Sequence, residues 1–165
     1  MRCERTVPLF CAALECLLGV GLSVPALAAQ EAVVASEGMV AYQSDAGFAA
    51  TLGRIEPAVT ERGLFVMRVL DHAASAAQLG IELSPNSVVL FGNPKIGAEW
   101  MRCAPRMGID LPQKLLVWEE SGVTYVAYND PEYLAQRHAA SGCEELLVRV
   151  GETLDGIARQ VAGSD

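Results

Sequence analysis

Hydrophobic and polar residues follow one another along this chain with two different spacings, and each spacing predicts one type of element. Short runs that are apolar throughout, or that alternate with polar residues, predict β-strands. Such runs occupy residues 37–43, 64–70, 87–91, 115–118 and 123–128. The last two are separated by Glu-Glu-Ser-Gly, a sequence typical of turns, so they predict a β-hairpin.

Apolar residues spaced three or four positions apart predict helices between these strands. Ser44 is suited to cap the first helix and Gly63 to end it. The apolar face of this helix is predicted to consist of Phe48, Leu52, Ile55 and Val59. Asp71 is expected to cap a short alanine-rich helix that ends at Gly80.

Two pairs of a polar residue and a proline predict the starts of two more helices. In Asn93-Pro94 and in Asp130-Pro131, the first residue suits the N-cap. The proline suits the first helical position, where a missing N–H costs nothing. The first of these helices is expected to end before Pro105, and the second to continue through His138.

A long C-terminal helix is predicted by the capping-box spacing of Ser141 and Glu144. Its apolar stripe is expected to consist of Leu146, Leu147, Val150, Leu154, Ile157, Ala158 and Val161. This stripe has to pack against a hydrophobic surface, which the hairpin and the other strands provide. The sequence therefore predicts one α+β domain, residues 37–165, in which helices pack on one face of a largely antiparallel sheet.

The N-terminal region has the pattern of a secretory signal peptide. Arg2 and Arg5 form a charged head, residues 9–29 are mostly apolar, and Ala26-Leu27-Ala28 matches the small-x-small pattern that signal peptidase cleaves. We expect cleavage after Ala28, with Ala29 as the alternative. The protein is then expected to be exported, to a bacterial periplasm or to the outside of the cell.

Removal of residues 1–28 leaves residues 29–36, which we expect to form a loose leader before the domain. The competing interpretation of the N-terminal region is a retained membrane anchor, but a spanning helix needs about 20 uninterrupted apolar residues. The residues that interrupt this segment are Glu15, Gly19, Gly21 and Pro25. We therefore expect no stable membrane anchor.

The charge balance restricts the partners of the protein. Lysine and arginine number 12 and aspartate and glutamate 20, which gives a formal net charge of −8 at pH 7. Phosphate backbones and anionic lipid surfaces repel such a chain, and the sequence contains no basic stripe. We therefore expect no nucleic-acid partner.

Cysteine usage is compatible with export. Cys103 and Cys143 lie beyond the signal region, and a pair of cysteines in an oxidising compartment favours a disulfide. The alternative is two separate thiols, because the sequence does not supply the Cα separation that a disulfide needs. Both alternatives stay open at this stage.

Three stretches of the sequence carry a resemblance to a known family. They are Asp71-His72-Ala73-Ala74 with Gly80-Ile81-Glu82-Leu83, then Phe91-Gly92-Asn93-Pro94-Lys95, and then Leu111-Pro112, Leu116-Val117-Trp118-Glu119, Tyr128-Asn129-Asp130-Pro131 and Tyr133-Leu134. Together they resemble the family catalogued as domain of unknown function 302, from about Gly63 to His138.

The resemblance implies a fold similar to the TATA-box-binding-protein-like class, with the order β-α-β-β-β-β-α, and a tendency to form homodimers. It implies no DNA binding, because that fold carries many unrelated functions. The two cysteines lie outside the family pattern, so the resemblance does not bear on the disulfide.

The two histidines are the candidate acid–base residues. In one hypothesis His72 and His138 converge with Asp130, and a histidine then acts as a general base. In the competing interpretation His72 lies at a strand end and His138 at a helix end, where a cation suits the helix dipole. Their wide separation lacks the short ligand spacing of zinc sites, so no metal is predicted.

The junctions between strands and helices are the candidate ligand-binding sites. Asn93 and Lys95 lie where backbone N–H groups can hold an anion, and Tyr128 and Asn129 precede the second cap-and-proline pair. Structural capping explains both junctions without a ligand, and it is the favoured interpretation. The aromatic residues that either line a pocket or form core and dimer contacts are Trp118, Tyr125, Tyr128 and Tyr133.

Three hypotheses of function follow from these patterns. The first is a non-catalytic module that binds a small ligand and acts as a homodimer. The second is an enzyme with an acid–base site at His72, Asp130 and His138. The third is an envelope factor whose dimer surface is its whole function. Nucleotide-loop, serine-hydrolase, thioredoxin-like and zincin signatures are absent from the sequence, and no cofactor is predicted.

Overall fold

One antiparallel sheet organises the fold. The computed structural model describes residues 32–164. The strands are β1 (Val33–Ser36), β2 (Met39–Gln43), β3 (Phe65–Asp71), β4 (Asn86–Gly92), β5 (Gln113–Glu120) and β6 (Val123–Asn129). They form a six-stranded sheet in the order β1-β2-β6-β5-β4-β3, and every neighbouring pair is antiparallel.

Within residues 32–164, six α-helices connect or follow these strands. They are α1 (Phe48–Gly53), α2 (Ile55–Thr60), α3 (His72–Ala77), α4 (Pro94–Cys103), α5 (Pro131–His138) and α6 (Glu144–Ala162). A 3-10 helix, Pro105–Ile109, follows α4. The predicted α+β class with a largely antiparallel sheet and helices on one face is confirmed.

The core lies between the sheet and the long helix α6. Alternate residues of the central strands face this core, since side chains in a strand point to opposite faces in turn. Leu115 and Val117 of β5 are fully buried, and so are Ile157 and Val161 of α6. Burial of each such side chain contributes roughly 1.5–3 kcal/mol, so the predicted apolar stripe is what attaches α6 to the sheet.

Three of the predicted helix caps are confirmed. The side chains of Asp71, Asn93 and Asp130 accept hydrogen bonds from the backbone N–H groups of Ala74 (2.8 Å), Lys95 (3.0 Å) and Glu132 (2.9 Å). Each bond satisfies a donor that the first turn of a helix otherwise leaves without a partner. The helices α3, α4 and α5 therefore begin where the sequence predicts.

Two predictions for the N-terminal part of the domain are wrong. Residues 33–36 are not a loose leader, because they form β1, which pairs with β2 across a turn that contains Gly38 at φ +76°. The predicted first helix is divided at Arg54 into α1 and α2. Ser44 does not cap it, since Gly47 is the N-cap and the Ser44 hydroxyl is hydrogen-bonded to that of Thr51.

The predicted capping box before the last helix is also wrong. Helix α6 begins at Glu144, and its N-cap residue, Cys143, makes no side-chain capping bond. The Glu144 carboxylate instead accepts a hydrogen bond from the backbone N–H of Gly142. A glycine at φ +75° turns the chain at this point, and the cap position moves beyond Ser141.

The two tryptophans have different environments. Trp100 of α4 is 4% exposed and belongs to the core. Trp118 lies on the sheet face opposite Leu115 and Val117, where its ring stacks on that of Tyr125 with centroids 5.1 Å apart. Trp118 and Tyr125 are only partly buried, so they stabilise the outer face of the hairpin and not the core.

The predicted signal peptide, residues 1–28, lies outside the described residues. Among residues 32–164, no helix is both long enough and apolar enough to span a membrane.

Candidate functional site

A cavity of about 300 Å³ lies between α4, α6 and the adjoining ends of β4 and β5. Helix α4 contributes Ile96, Gly97, Trp100 and Met101 to its wall. Helix α6 contributes Val150, Thr153 and Leu154. The remaining lining residues, from the sheet and its connections, are Leu64, Met67, Phe91, Gly92, Asn93, Pro94, Leu111, Pro112 and Gln113.

The lining of this cavity is mostly apolar. Of the residues that form it, none carries a charged side chain, and the polar side chains are those of Asn93, Gln113 and Thr153. Met67 and Met101 add long, flexible thioether side chains that adapt to different shapes. Small-molecule sites have this composition, a mostly hydrophobic wall with a small number of polar groups.

The three polar side chains differ in what they can still bind. The Thr153 hydroxyl donates to the carbonyl of Arg149 at 2.7 Å. The Asn93 Oδ1 atom is occupied by the N-cap bond, which leaves the Nδ2 group as a donor. Within the described part of the chain the Gln113 amide has no hydrogen-bond partner. The cavity therefore presents two partly exposed amides that are able to bind a ligand.

Trp100 separates this cavity from the disulfide region. Its side chain lines both the main cavity and a smaller one of about 40 Å³, which Cys103 and Cys143 also line. The indole Nε1 atom is buried and has no hydrogen-bond partner among the described residues. Because the indole ring contacts both regions, a change of packing around the cysteines would move the wall of the main cavity.

Cys103 and Cys143 lie at disulfide distance. Their Cα atoms are 6.2 Å apart, within the range that disulfides require. Cys103 is the last residue of α4 and Cys143 is the N-cap of α6. The pair therefore joins the two helices that both line the cavity.

A second polar cluster lies between the sheet and α6, where Asp155 accepts hydrogen bonds from three side chains. Tyr42 of β2 and Tyr128 of β6 both donate to its Oδ1 atom, and Arg159 donates to its Oδ2 atom at 2.7 Å. The Arg159 guanidinium also lies over the ring of Tyr42, 5.0 Å from its centroid.

The electrostatics of this cluster favour a charged Asp155 and neutral tyrosines. Burial opposes the ionisation of Asp155, but the hydrogen bonds from Tyr42, Arg159 and Tyr128 outweigh it and lower the pKa of this carboxyl. Burial, together with the neighbouring Asp155, raises the pKa of Tyr42 to about 12 and raises that of Tyr128 as well. Such a cluster holds α6 on the sheet through a charged Asp155 and two neutral tyrosines.

The three predicted acid–base residues have different environments. His138 is 7% exposed, and its Nε2 atom lies 2.5 Å from Oδ2 of Asp110. Asp130 caps α5, and His72 is the exposed first residue of α3. The structure therefore pairs His138 with Asp110, which joins α5 to the end of the 3-10 helix.

The predicted ligand residues fall into different regions. Asn93 lines the main cavity, while Lys95 is exposed and does not line it. Tyr128 belongs to the Asp155 cluster, and Asn129 ends β6 opposite Met39. Among residues 32–164, no group of three or more His, Cys, Asp or Glu side chains is placed to hold a metal ion.

Two features of these sites escaped the sequence analysis. The cavity is formed by residues from α4, α6 and the sheet, whose proximity depends on tertiary packing. The Asp155 cluster had a weak signal, since Asp155 and Arg159 have helical i, i+4 spacing. The sequence does not show that two tyrosines on neighbouring strands face that pair.

Three comparisons relate the chain to known proteins. The sequence model described as "Domain of unknown function DUF302" matches residues 40–161. A solved structure, that of an uncharacterized conserved protein DUF302 from Bacillus stearothermophilus, matches with a TM-score of 0.70 and 19% identity. The match covers 76% of this chain and 99% of that one, so the two share a fold.

Two curated relatives are ion channels by name. Fluoride-specific ion channel FluC 1 of Brucella suis biovar 1 (strain 1330) is 32% identical over 135 residues, which are 81% of this chain and 53% of the relative. Fluoride-specific ion channel FluC 2 of Brucella melitensis biotype 1 has the same identity over 81% of this chain and 50% of its own length. The chain thus spans about half the length of the curated relatives it matches.

Proposed function

Since the chain belongs to the family described as domain of unknown function DUF302, we propose that this member is a non-catalytic module that binds a small ligand in the cavity between α4 and α6. The observation that carries the proposal is an apolar cavity of about 300 Å³ with two amides free to bind. Ligand sites in proteins have volumes of about 300–1,000 Å³, so the cavity reaches the lower end of that range.

The chemistry of the lining supports binding without catalysis. General acid–base catalysis needs a titratable group within hydrogen-bond reach of the substrate. The polar side chains among the lining residues are two amides and one hydroxyl, which do not ionise near neutral pH. The alternative acid–base site would have to use His138 with Asp110, and neither residue lines this cavity.

An exposed apolar edge supports the homodimer that the family resemblance implies. Strand β3 is the last strand of the sheet, and Phe65, Met67 and Val69 on it are 59%, 49% and 49% exposed. An exposed hydrophobic edge strand is a template for pairing with another chain. Because Met67 also lines the cavity, a second copy that pairs with β3 would cover the part of the cavity next to Met67.

The compartment that we propose is the periplasm or the cell exterior. The signal-peptide pattern of residues 1–28 and the Cys103–Cys143 pair both support export. Mass spectrometry of the chain isolated from its source should detect a mature N-terminus at Ala29. Detection of intact residues 1–28 on a cytosolic protein would contradict the proposal.

The Brucella relatives favour a channel as a partner and not fluoride as the ligand. In those proteins the matched region belongs to the same polypeptide as the rest of a fluoride-specific channel. A small anion needs several donors or a cation to replace its hydration, and the cavity lining offers no cation. We therefore propose that the domain works beside a membrane channel, with a site for a different molecule.

Filling the cavity tests the binding proposal. Leucine at Gly97 would project from α4 into the cavity, since a Cβ atom there meets only Leu111 at 3.9 Å. We expect Gly97→Leu to abolish binding of the neutral fluorescent dye 6-propionyl-2-(dimethylamino)naphthalene, whose two fused rings suit the volume of the cavity. The matched control is Gly151→Leu in α6, where a Cβ atom meets nothing within 4 Å.

Both substitutions replace a helical glycine and should raise helix propensity by about 1 kcal/mol, so a difference between them reports on the cavity. Equal dye binding by both variants, or no binding by the unsubstituted chain, would contradict the proposal.

A further inference from the structure

We infer that the ligand of the α4–α6 cavity is an uncharged molecule with a compact apolar body and one hydrogen-bond acceptor at its end. This inference rests on the proposed function, since it names the class of molecule that the same site takes. The ligand class follows from the size of the cavity, the absence of charge in its lining and the position of its two amides.

The volume sets the size of the apolar body. An apolar protein cavity of about 150 Å³ binds benzene. The cavity here has about 300 Å³, and its wall includes the aromatic side chains of Phe91 and Trp100. It therefore has room for an apolar group of roughly two fused rings, or for a short branched chain of similar volume.

The lining excludes a charged ligand. A charged group loses its hydration when it enters an apolar site, and the loss is compensated only by an opposite charge or by several hydrogen bonds. Of the residues that line the cavity, none is Lys, Arg, His, Asp or Glu. The net charge of −8 further opposes the approach of an anion.

The two amides lie at the same end of the sheet. Gln113 of β5 pairs with Phe91 of β4, and Asn93 follows Phe91 by two residues. Asn93 and Gln113 are both partly exposed while Phe91 is fully buried. This arrangement places the polar groups toward solvent and the apolar wall behind them, as in sites that hold an amphipathic molecule by its body and bind its polar end.

The N-cap bond decides what Asn93 offers. Its Oδ1 atom is used by the Lys95 N–H, so its remaining group is the Nδ2 donor. The Gln113 amide is able to donate as well. A ligand group that accepts hydrogen bonds, such as a ketone, ester, amide or ether oxygen, therefore matches this end of the cavity.

Three probes of one shape test the inference by isothermal titration calorimetry on the full chain. 2-Acetylnaphthalene has a neutral acceptor, 2-isopropenylnaphthalene replaces that oxygen by a CH2 group, and 2-naphthoate carries a charge. We expect the ketone to bind about five-fold or more tightly than the hydrocarbon, as one additional hydrogen bond predicts. We expect the carboxylate to bind more weakly than both.

One substitution then assigns the hydrogen bond. Asn93→Asp keeps the capping oxygen but removes the Nδ2 donor. It should therefore lower the affinity for the ketone about five-fold and leave the affinity for the hydrocarbon unchanged. The control is Asp71→Asn, which exchanges the same two side chains at the N-cap of α3, away from the cavity.

The outcomes separate the two proposals. Equal affinity for ketone and hydrocarbon, or tightest binding of 2-naphthoate, would overturn the inferred ligand class and leave the binding function standing. Failure of all three probes to bind would contradict the binding function itself. The probe series uses the unsubstituted chain, so it decides the question even if Asn93→Asp does not fold.

Discussion

The phenol hydroxyl of Tyr128 donates a 3.2 Å hydrogen bond to Oδ1 of Asp155, and this bond joins strand β6 to helix α6. Tyr42 on the neighbouring strand β2 donates to the same oxygen, and Arg159 holds the other. The carboxylate thus links two strands to the helix that covers them. Since α6 is also one wall of the cavity, the cluster helps to position that wall.

The Asp155 carboxylate should make stability depend on pH in the acid range. The pKa of Asp155 is lower in the folded chain than the ordinary value of 3.8. The contribution of Asp155 to stability is therefore complete above pH 3.8 and is lost as the pH falls through the pKa of the folded chain. We expect Asp155→Asn to lower the free energy of unfolding by about 1 kcal/mol at neutral pH, because the side chain is 36% exposed and solvent screens it.

Urea unfolding at a series of pH values measures this effect, and the difference between the two chains should shrink below about pH 4. Glu152→Gln, the same change of charge at an exposed site of α6, is the control. A difference that stays constant down to pH 2 would show that Asp155 is not held in its charged form by these contacts.

The same cluster predicts an unusual tyrosine titration. Burial, then the hydrogen bond to Asp155 and its charge, raise the pKa of Tyr42 to about 12 from an ordinary value of 10. This tyrosine therefore stabilises the fold fully below pH 10, and the effect is lost as the pH rises through 12.

Phenolate absorbance of the chain, with the titration of Tyr42→Phe subtracted, should show this transition near pH 12. In Asp155→Asn it should move to lower pH, because the negative charge that opposes ionisation of the phenol is removed while an acceptor oxygen stays in place. An unchanged transition in Asp155→Asn would show that the charge of Asp155 does not contribute to the shift.

Five of the six described strands, and the starts of α3, α4 and α5, could be predicted because their signals are local. The cap-and-proline pairs at Asn93 and Asp130 depend on the geometry of one turn, which neighbouring residues determine. The errors occur where tertiary contacts decide. Ser44 suits a cap by type, yet its hydroxyl is buried against Thr51 beside the end of α6.

Disruption of the exposed β3 edge tests the proposed homodimer. Val69 lies on this edge and is 49% exposed, so Val69→Lys should place a charge on the dimer surface without disturbing the core. Light scattering after size exclusion should give the mass of a dimer for the unsubstituted chain and of a monomer for Val69→Lys.

Val148→Lys is the matched control, since Val148 is 57% exposed and belongs to α6, not to β3. This variant should stay dimeric. A monomeric unsubstituted chain would contradict the dimer.

The candidate site was only partly predictable, for a physical reason. Asn93 was a candidate ligand residue because of its place between a strand and a helix, and it lines the cavity. Val150 and Leu154 of α6 line the same cavity, but their periodicity predicts only that they are buried. Periodicity does not distinguish a residue that fills the core from one that borders a cavity.

The link between Cys103 and Cys143 should control both stability and binding. A disulfide that closes a loop of 40 residues stabilises a fold by about 4 kcal/mol in the chain-entropy account. It also holds the end of α4 against the start of α6, and Trp100 lies between the cysteines and the cavity. We expect the double variant Cys103→Ala/Cys143→Ala to be less stable and to bind 2-acetylnaphthalene more weakly.

Two measurements on the double variant separate these effects. Urea unfolding reports the loss of stability, and calorimetric titration of the probe under conditions where the variant is fully folded reports the effect on the cavity wall. The unsubstituted chain with its thiols reduced and alkylated should match the variant in stability.

Unaltered probe affinity in a folded double variant would mean that packing alone, through Trp100 and Leu154, holds α4 at its distance from α6. Free thiols in the isolated protein would show that the pair is not bonded, and the variant should then lose neither stability nor affinity.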